Sequence, residues 1–240
     1  VLIGNSGGSG VYSYYIQQAA LAPDQRPAKS PVGKPTQFER VNMPMVDAMI
    51  YLAPHPGQGR LLMGCIDPSV TDEHDALSVD SALDPFNPDN GYVAAPGQSR
   101  YASDFVERYR KAQRARVERI DDLARARIAR RQSARRKIKE GATDKALRLQ
   151  AAHTPIITVW RTDADLRCMD LGIDPSDRAA GSVWGNDPLA SNYGAVGFGR
   201  LCSPESWLST WSGVSSQAAL EKTAPSVTVP TLLVEYTGDQ

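Results

Sequence analysis

A serine flanked by glycines lies close to the start of this 240-residue chain. Ser6 stands in the run GNSGG, residues 4–8, after the apolar residues 1–3 and before a helix-like stretch at 11–20. A G-x-S-x-G run between a strand and a helix is the setting of a nucleophile elbow, in which a strained turn projects the serine hydroxyl from a sheet edge. Glycines two positions before and after the serine relieve crowding in that turn. Ser6 is therefore the candidate nucleophile.

Glycine-rich loops after strands also bind phosphates, and two such motifs compete for the same residues. A P-loop that starts at Gly4 requires glycine at position 9 and lysine at position 10, where the chain has Ser9 and Gly10. A dinucleotide fingerprint that starts at Gly8 requires a third glycine where the chain has Ser13. Both motifs fail on spacing, and we expect no cofactor.

A carboxylate follows the last apolar segment of the chain. Residues 229–236 have the composition of a buried strand that begins near a proline, and Asp239 comes directly after Thr237 and Gly238. The acid of an elbow-based triad follows the serine in the chain and precedes the histidine. Asp239 is the candidate acid, although an aspartate after a glycine is also common in ordinary turns.

These segments resemble the α/β-hydrolase family, particularly bacterial members with a large cap inserted between two late core strands. The resemblance rests on residues 4–10, on the strand-like residues 47–53 with the PHPG run that follows them, and on residues 230–239. It implies an α/β fold that holds the C-terminal half of the parallel core sheet and an inserted, mostly α-helical cap.

The implied division has three parts. Residues 1–58 are hydrolase core, with the elbow strand, the following helix and the next core strand. Residues 59–202 are the cap, and residues 203–240 are core again, with a helix and a strand that lead to the acid.

The same resemblance implies a serine hydrolase that cleaves a small ester or a related carbonyl compound through an acyl-enzyme. Ser6 would attack the carbonyl, Asp239 would orient a histidine, and the backbone N–H of Gly7 would form half of the oxyanion hole. A thioester, a lactone or a carbon–carbon bond beside a carbonyl needs the same groups. Epoxide hydrolases and dehalogenases more often have Asp at the elbow, so Ser6 disfavours them.

The catalytic histidine is the missing member of this set. His55, His74 and His153 all lie between Ser6 and Asp239 in the chain. We therefore expect the base beyond the end of this chain, and we expect the chain to be an internal fragment of a longer hydrolase, inactive or nearly so alone.

His55 has a different expected role. It follows a predicted strand whose carboxyl end faces the same sheet edge as Ser6, where open α/β sheets bind ligands. The sequence supports two interpretations equally, a substrate-binding residue and an ordinary loop histidine between two prolines.

The most polar stretch, residues 103–150, is predicted to form one or two long helices. Its apolar residues recur at the spacing of one helical stripe, namely Val106, Tyr109, Val117, Ile120, Ala124 and Ile128. A capping box at Asp104 and Glu107 would start the helices, and Gly141 would end the first. Residues 104–148 contain 16 Lys/Arg and 7 Asp/Glu. A solvated cap helix explains this excess better than nucleic-acid binding, because no aromatic residue follows Tyr109 among the arginines; attraction of anionic substrates stays open.

Two other function classes stay open. The first is a non-catalytic interaction protein that keeps the hydrolase-like fold while its basic helix binds an acidic partner. The second is a truncated product without independent function, since an open sheet edge at residues 1–3 would favour aggregation.

Composition adds broad limits. The chain balances 27 basic against 27 acidic residues, which argues against a nucleic-acid or membrane-surface binder as a whole. Cys65, Cys168 and Cys202 lack metal-ligand spacing and are expected to be reduced thiols of a cytoplasmic protein, with no metal site. The sequence leaves the oligomeric state open.

Overall fold

The computed structural model describes residues 1–238, within which five short strands form two separate sheets. The strands are β1 (Leu2–Asn5), β2 (Met49–Leu52), β3 (Ile157–Thr158), β4 (Leu201–Cys202) and β5 (Thr231–Val234). The main sheet is parallel, in the order β1-β2-β5, and β3 pairs with β4 in antiparallel orientation. Because parallel strands point the same way, β1, β2 and β5 end at one common edge.

Helices account for most of the remaining regular structure. They are α1 (Gly8–Ala20), α2 (Gln58–Cys65), α3 (Ser103–Lys139), α4 (Lys145–Ala152), α5 (Pro188–Tyr193), α6 (Pro204–Ser206) and α7 (Leu220–Thr223), with a π-helical turn at Trp207–Trp211 after α6. Within residues 1–238, none of the helices has the length and apolarity needed to cross a bilayer. The chain is a mixed α/β protein with a small parallel sheet and many helices.

One face of the parallel sheet is covered by α1. Ile16 of this helix packs against Met49 and Tyr51 of β2, and all three side chains are buried. On the other face, Ile3 of β1 and Leu232 of β5 are 59% and 55% exposed. The parallel sheet that leads to Ser6 is therefore supported by α1 on one of its two faces.

The long helix α3 forms a second core through one apolar stripe. Val117, Ile120 and Ala124 are buried against Trp207, whose indole N–H donates to the Asp121 carboxylate at 2.7 Å. This spacing is the helical periodicity expected from the sequence.

The predicted C-terminal end of α3 agrees with the structure, and the predicted cap at its N-terminal end does not. Gly141 has a φ of 102° just after the helix, so a glycine is needed where the chain turns away. The predicted capping box is wrong, because the helix starts at Ser103 with Ala102 as its N-cap and no side chain caps it.

Between α2 and α5 much of the chain is loop held by buried ion pairs. Glu73 accepts from Arg116 at 2.9 Å and from Arg119 at 2.7 Å. Burial would raise the pKa of Glu73, but these two guanidinium groups outweigh it and lower that pKa. Asn192, at the far end of the segment, donates to Asp67 at 2.9 Å. Polar contacts of this kind fix loops that no helix or strand supports.

Candidate functional site

Ser6 occupies a sharp turn between β1 and α1. Its φ is 50°, a left-handed conformation that is rare for residues with a side chain and costs on the order of 1–2 kcal/mol. Its backbone N–H donates to the Leu52 carbonyl at 3.0 Å, and this bond ties the turn to the end of β2. The Ser6 side chain is exposed. The backbone thus has the strained geometry that a nucleophile elbow requires.

The two glycines around Ser6 differ in their steric roles. A Cβ at Gly4 would lie 2.8 Å from Cα of Ser9 and 2.9 Å from Cε of Met49, so this position has no room for a side chain. A Cβ at Gly8 would meet nothing within 4 Å. The expectation that both glycines relieve crowding therefore holds for Gly4 and is wrong for Gly8, whose Cβ would point into open space.

Gly7 lies close to the amide of Gln58 and the imidazole of His55. A Cβ at this position would overlap the amide nitrogen of Gln58 and would lie 3.0 Å from Nε2 of His55. Gly7 is the N-cap of α1, and the first N–H groups of a helix lack acceptors within the helix. Hydrogen-bond donors from the backbone and from Gln58 thus lie close together beside Ser6.

His55 reaches this region from the end of β2. The backbone N–H of Gly57 donates to Nδ1 of His55 at 3.1 Å. An imidazole that accepts at Nδ1 carries its proton on Nε2 when it is neutral. In this tautomer Nε2 is a donor and cannot take a proton from Ser6.

Ser6 and His55 line one cavity of about 550 Å³ at the shared sheet edge. The other two histidines lie elsewhere: His74 is in an exposed loop and His153 follows α4. The cavity walls include apolar and aromatic side chains, namely Leu61, Val183, Trp184, Phe198, Leu233 and Tyr236. Most come from loops and from residues distant in sequence. The composition of the loop at 181–199, rich in glycine and aromatic residues, is typical of loops that shape pockets, but local patterns do not connect it with Ser6.

A carboxylate and two arginines form a charged cluster, of which Asp165 and Arg167 line the cavity. The Asp165 carboxylate accepts from Arg167 at 2.7 Å and from Arg110 at 2.9 Å. Burial would raise the pKa of Asp165, but the two arginines outweigh it and hold that pKa below its usual range. Asp165 is therefore an ionised partner of the arginines and has no proton to give near neutral pH.

Two cysteines also line the cavity. Burial raises the pKa of Cys168 to about 12 and raises that of Cys65 well above its ordinary value. Both are free thiols, as is the buried Cys202. A protonated thiol is a poor nucleophile, so Ser6 is the better candidate in this cavity.

A carboxylate that sequence analysis missed lies at the end of β5, in the wall of the cavity. The strand ends at Val234, two residues earlier than predicted, so Glu235 is the first residue beyond it and lines the cavity with Ser6. The only sequence signal is the change from apolar to charged residues after position 234. The predicted acid, Asp239, lies outside the described residues.

The chain just before Asp239 is held by the loop at 176–178. The N–H of Asp177 donates to the Thr237 carbonyl at 3.1 Å, and Nε of Arg178 donates to the Gly238 carbonyl at 2.9 Å. Arg178 also lines the cavity. These bonds hold the segment after β5 beside the cavity wall.

Residues 1–238 contain no group of three or more His, Cys, Asp or Glu side chains that could hold a metal ion. Comparisons of the chain with protein-family models, with curated proteins and with solved structures found no match.

Proposed function

We propose that this chain is part of a serine hydrolase of the α/β-hydrolase type that cleaves a small ester or related carbonyl compound. The observation that carries the proposal is Ser6, strained at φ 50° between a parallel strand and a helix and open to a cavity of about 550 Å³. That volume lies in the range of small-molecule sites. The arrangement β1-β2-β5 supports the proposal, because three parallel strands end beside one another at the serine.

In the proposed reaction, Ser6 Oγ attacks the substrate carbonyl, and negative charge develops on the carbonyl oxygen in the tetrahedral intermediate. The intermediate collapses to a seryl ester as the C–O π bond re-forms and the leaving group departs with a proton. The Gly7 N–H is the first donor to this oxygen, and the Gln58 amide that overlies Gly7 is the second. A preorganised donor of this kind lowers the barrier because it does not reorient as charge develops.

The proton of Ser6 needs an acceptor. As the family resemblance implies, the proposal assigns this role to a histidine outside residues 1–240, oriented by Asp239. His55 is assigned to substrate binding, since its Nδ1 is occupied by the Gly57 N–H and its Nε2 is a donor. Loss of turnover in His55→Ala as complete as in Ser6→Ala would overturn that assignment.

Ester hydrolysis tests the proposal directly. The full-length protein is mixed with p-nitrophenyl acetate, and release of nitrophenolate is followed from the first milliseconds. A seryl intermediate predicts a burst equal to the enzyme concentration whenever deacylation is slow. Ser6→Ala should abolish the burst. Ser103→Ala, an exposed serine at the start of α3, should leave it unchanged.

A second candidate is a non-catalytic interaction protein whose basic helix binds an acidic partner. The observation that favours it is the positive charge of α3, which has eight Lys/Arg and no Asp/Glu over residues 123–139. Changing Arg125, Arg130 and Arg135 together to Glu should then destroy partner binding without altering ester hydrolysis. A burst that requires Ser6 would refute the non-catalytic candidate.

A further inference from the structure

A second large cavity lies on the basic helical hairpin formed by α3 and α4. It has a volume of about 870 Å³ and shares no lining residue with the cavity at Ser6. We call it the hairpin groove. Its lining residues are Arg127, Arg130, Arg131, Leu149, Gln150, Ala152, His153, Pro155 and Ile156.

The groove combines cations with exposed apolar side chains. Leu149 and Ile156 are 62% and 56% exposed, although each offers a large apolar surface. In the described part of the chain, Arg127 and Arg130 form no ion pair with a carboxylate. Exposed apolar surface next to unneutralised guanidinium groups is typical of a protein-binding site.

Two arginines of the groove, Arg127 and Arg131, are held in place by hydrogen bonds within the protein. Arg127 donates to the Ile156 carbonyl at 2.5 Å, and Arg131 donates to Thr154 Oγ1 at 3.1 Å. Arg131 also pairs with Glu205 at 3.9 Å, whereas the bond of Arg127 uses one of its five N–H groups, so donors of Arg127 remain for a ligand. Because the side chains are already ordered, binding loses little further conformational entropy.

We propose that the hairpin groove binds an acidic amphipathic helix of a partner protein. The apolar face of that helix would cover Leu149 and Ile156, and its carboxylates would pair with Arg127 and Arg130. The eight-residue helix α4 spans about 12 Å, which matches about two turns of a helix laid along it. The proposal does not depend on any activity of Ser6.

Two other anionic partners fit the groove less well. Single-stranded nucleic acids gain affinity by stacking bases on aromatic rings, and the lining residues of the groove include no Phe, Tyr or Trp. An anionic bilayer favours a continuous apolar helix face with interfacial aromatic residues. Here two apolar side chains lie among arginines, which suits a small set of apolar and acidic side chains.

The test uses two fluorescein-labelled peptides of identical leucine, glutamate and alanine composition. One has its leucines on a single helical face, and the other is scrambled. Anisotropy titration of the full-length protein should show about tenfold tighter binding of the amphipathic peptide. Arg130→Glu and Leu149→Ser should each weaken that binding by about tenfold, the size of one interface contact. Both side chains are exposed, so circular dichroism should show unchanged folding.

Arg136→Glu is the matched control. It reverses the same charge on the same helix, at an exposed position outside the groove, and should weaken binding by at most about twofold if the site is specific. Equal binding of both peptides, or equal losses from Arg130→Glu and Arg136→Glu, would show unspecific charge attraction and overturn the proposal. The proposal would also be overturned if a single-stranded oligonucleotide or phosphatidylserine vesicles bound more tightly than the amphipathic peptide and lost that binding in Leu149→Ser.

Discussion

Alanine substitutions at the two glycines that flank Ser6 should have opposite effects on stability. At Gly4 an added methyl group meets the Ser9 backbone at 2.8 Å and Met49 Cε at 2.9 Å. The methionine end can move, but Cα of Ser9 belongs to α1 and cannot. Overpacking of this kind typically costs 1–3 kcal/mol, so Gly4→Ala should lower the free energy of unfolding by about 2 kcal/mol.

At Gly8 the added methyl group meets nothing within 4 Å. The residue begins α1 and has a negative φ, so alanine suits its conformation. Replacing glycine by alanine at a compatible position reduces the entropy of the unfolded chain and stabilises by about 0.4–1 kcal/mol. Gly8→Ala should therefore raise the free energy of unfolding slightly.

Urea unfolding followed by tryptophan fluorescence measures both changes, and equal slopes in the two variants would show that the same surface is exposed. The comparison is matched, since both variants add one methyl group two residues from Ser6. Destabilisation of the protein by Gly8→Ala as large as that by Gly4→Ala would refute the steric account of the elbow.

Three further predictions concern the site. Gln58→Leu should slow acylation of Ser6 about a hundredfold to a thousandfold by removing one oxyanion donor, while exposed Gln132→Leu should have no effect on stopped-flow burst rates. The pKa of Asp165 is lower in the folded protein than the value of about 4 expected when unfolded, so its charge stabilises the fold above that value. This stabilisation is lost as pH falls through the folded-state pKa. In urea titrations at several acidic pH values, the free energy of unfolding of Asp165→Asn should therefore fall less with decreasing pH than that of the unchanged protein. Asp239→Asn should abolish the ester burst, whereas Glu235→Gln should change its rate by less than about threefold; the reverse result would make Glu235 the acid.

Local sequence patterns predicted the elements that short-range physics determines. The apolar runs around positions 2–4, 49–52 and 231–234 became the three parallel strands. The last run was predicted to be buried and this is wrong, because β5 lies at the edge of the described sheet, where Leu232 and Leu233 are 55% and 60% exposed. The helical stripe of Val117, Ile120 and Ala124 was buried as expected. The turn at Ser6 was predicted from the G-x-S-x-G run between a strand and a helix, and its positive φ agrees with that motif.

Long-range placement was beyond those patterns. Trp184 and Asp165 come from loops distant in sequence from Ser6, and only the tertiary fold brings them to the same cavity. The strand β4, which pairs with β3, has two residues, too few to give an alternation signal. Gly4 and Gly8 lie two residues before and two residues after Ser6, and the sequence alone does not reveal which of them packs against a neighbouring residue.

Covalent labelling by a fluorophosphonate tests the central claim most directly, because this reagent reacts with activated serines. The full-length protein and its Ser6→Ala variant would be treated, digested and analysed by mass spectrometry. The account predicts one adduct, on Ser6 within residues 1–10, and no adduct in the variant. A folded protein that takes up no label, or a label that persists when Ser6 is replaced, would contradict a nucleophilic role for Ser6.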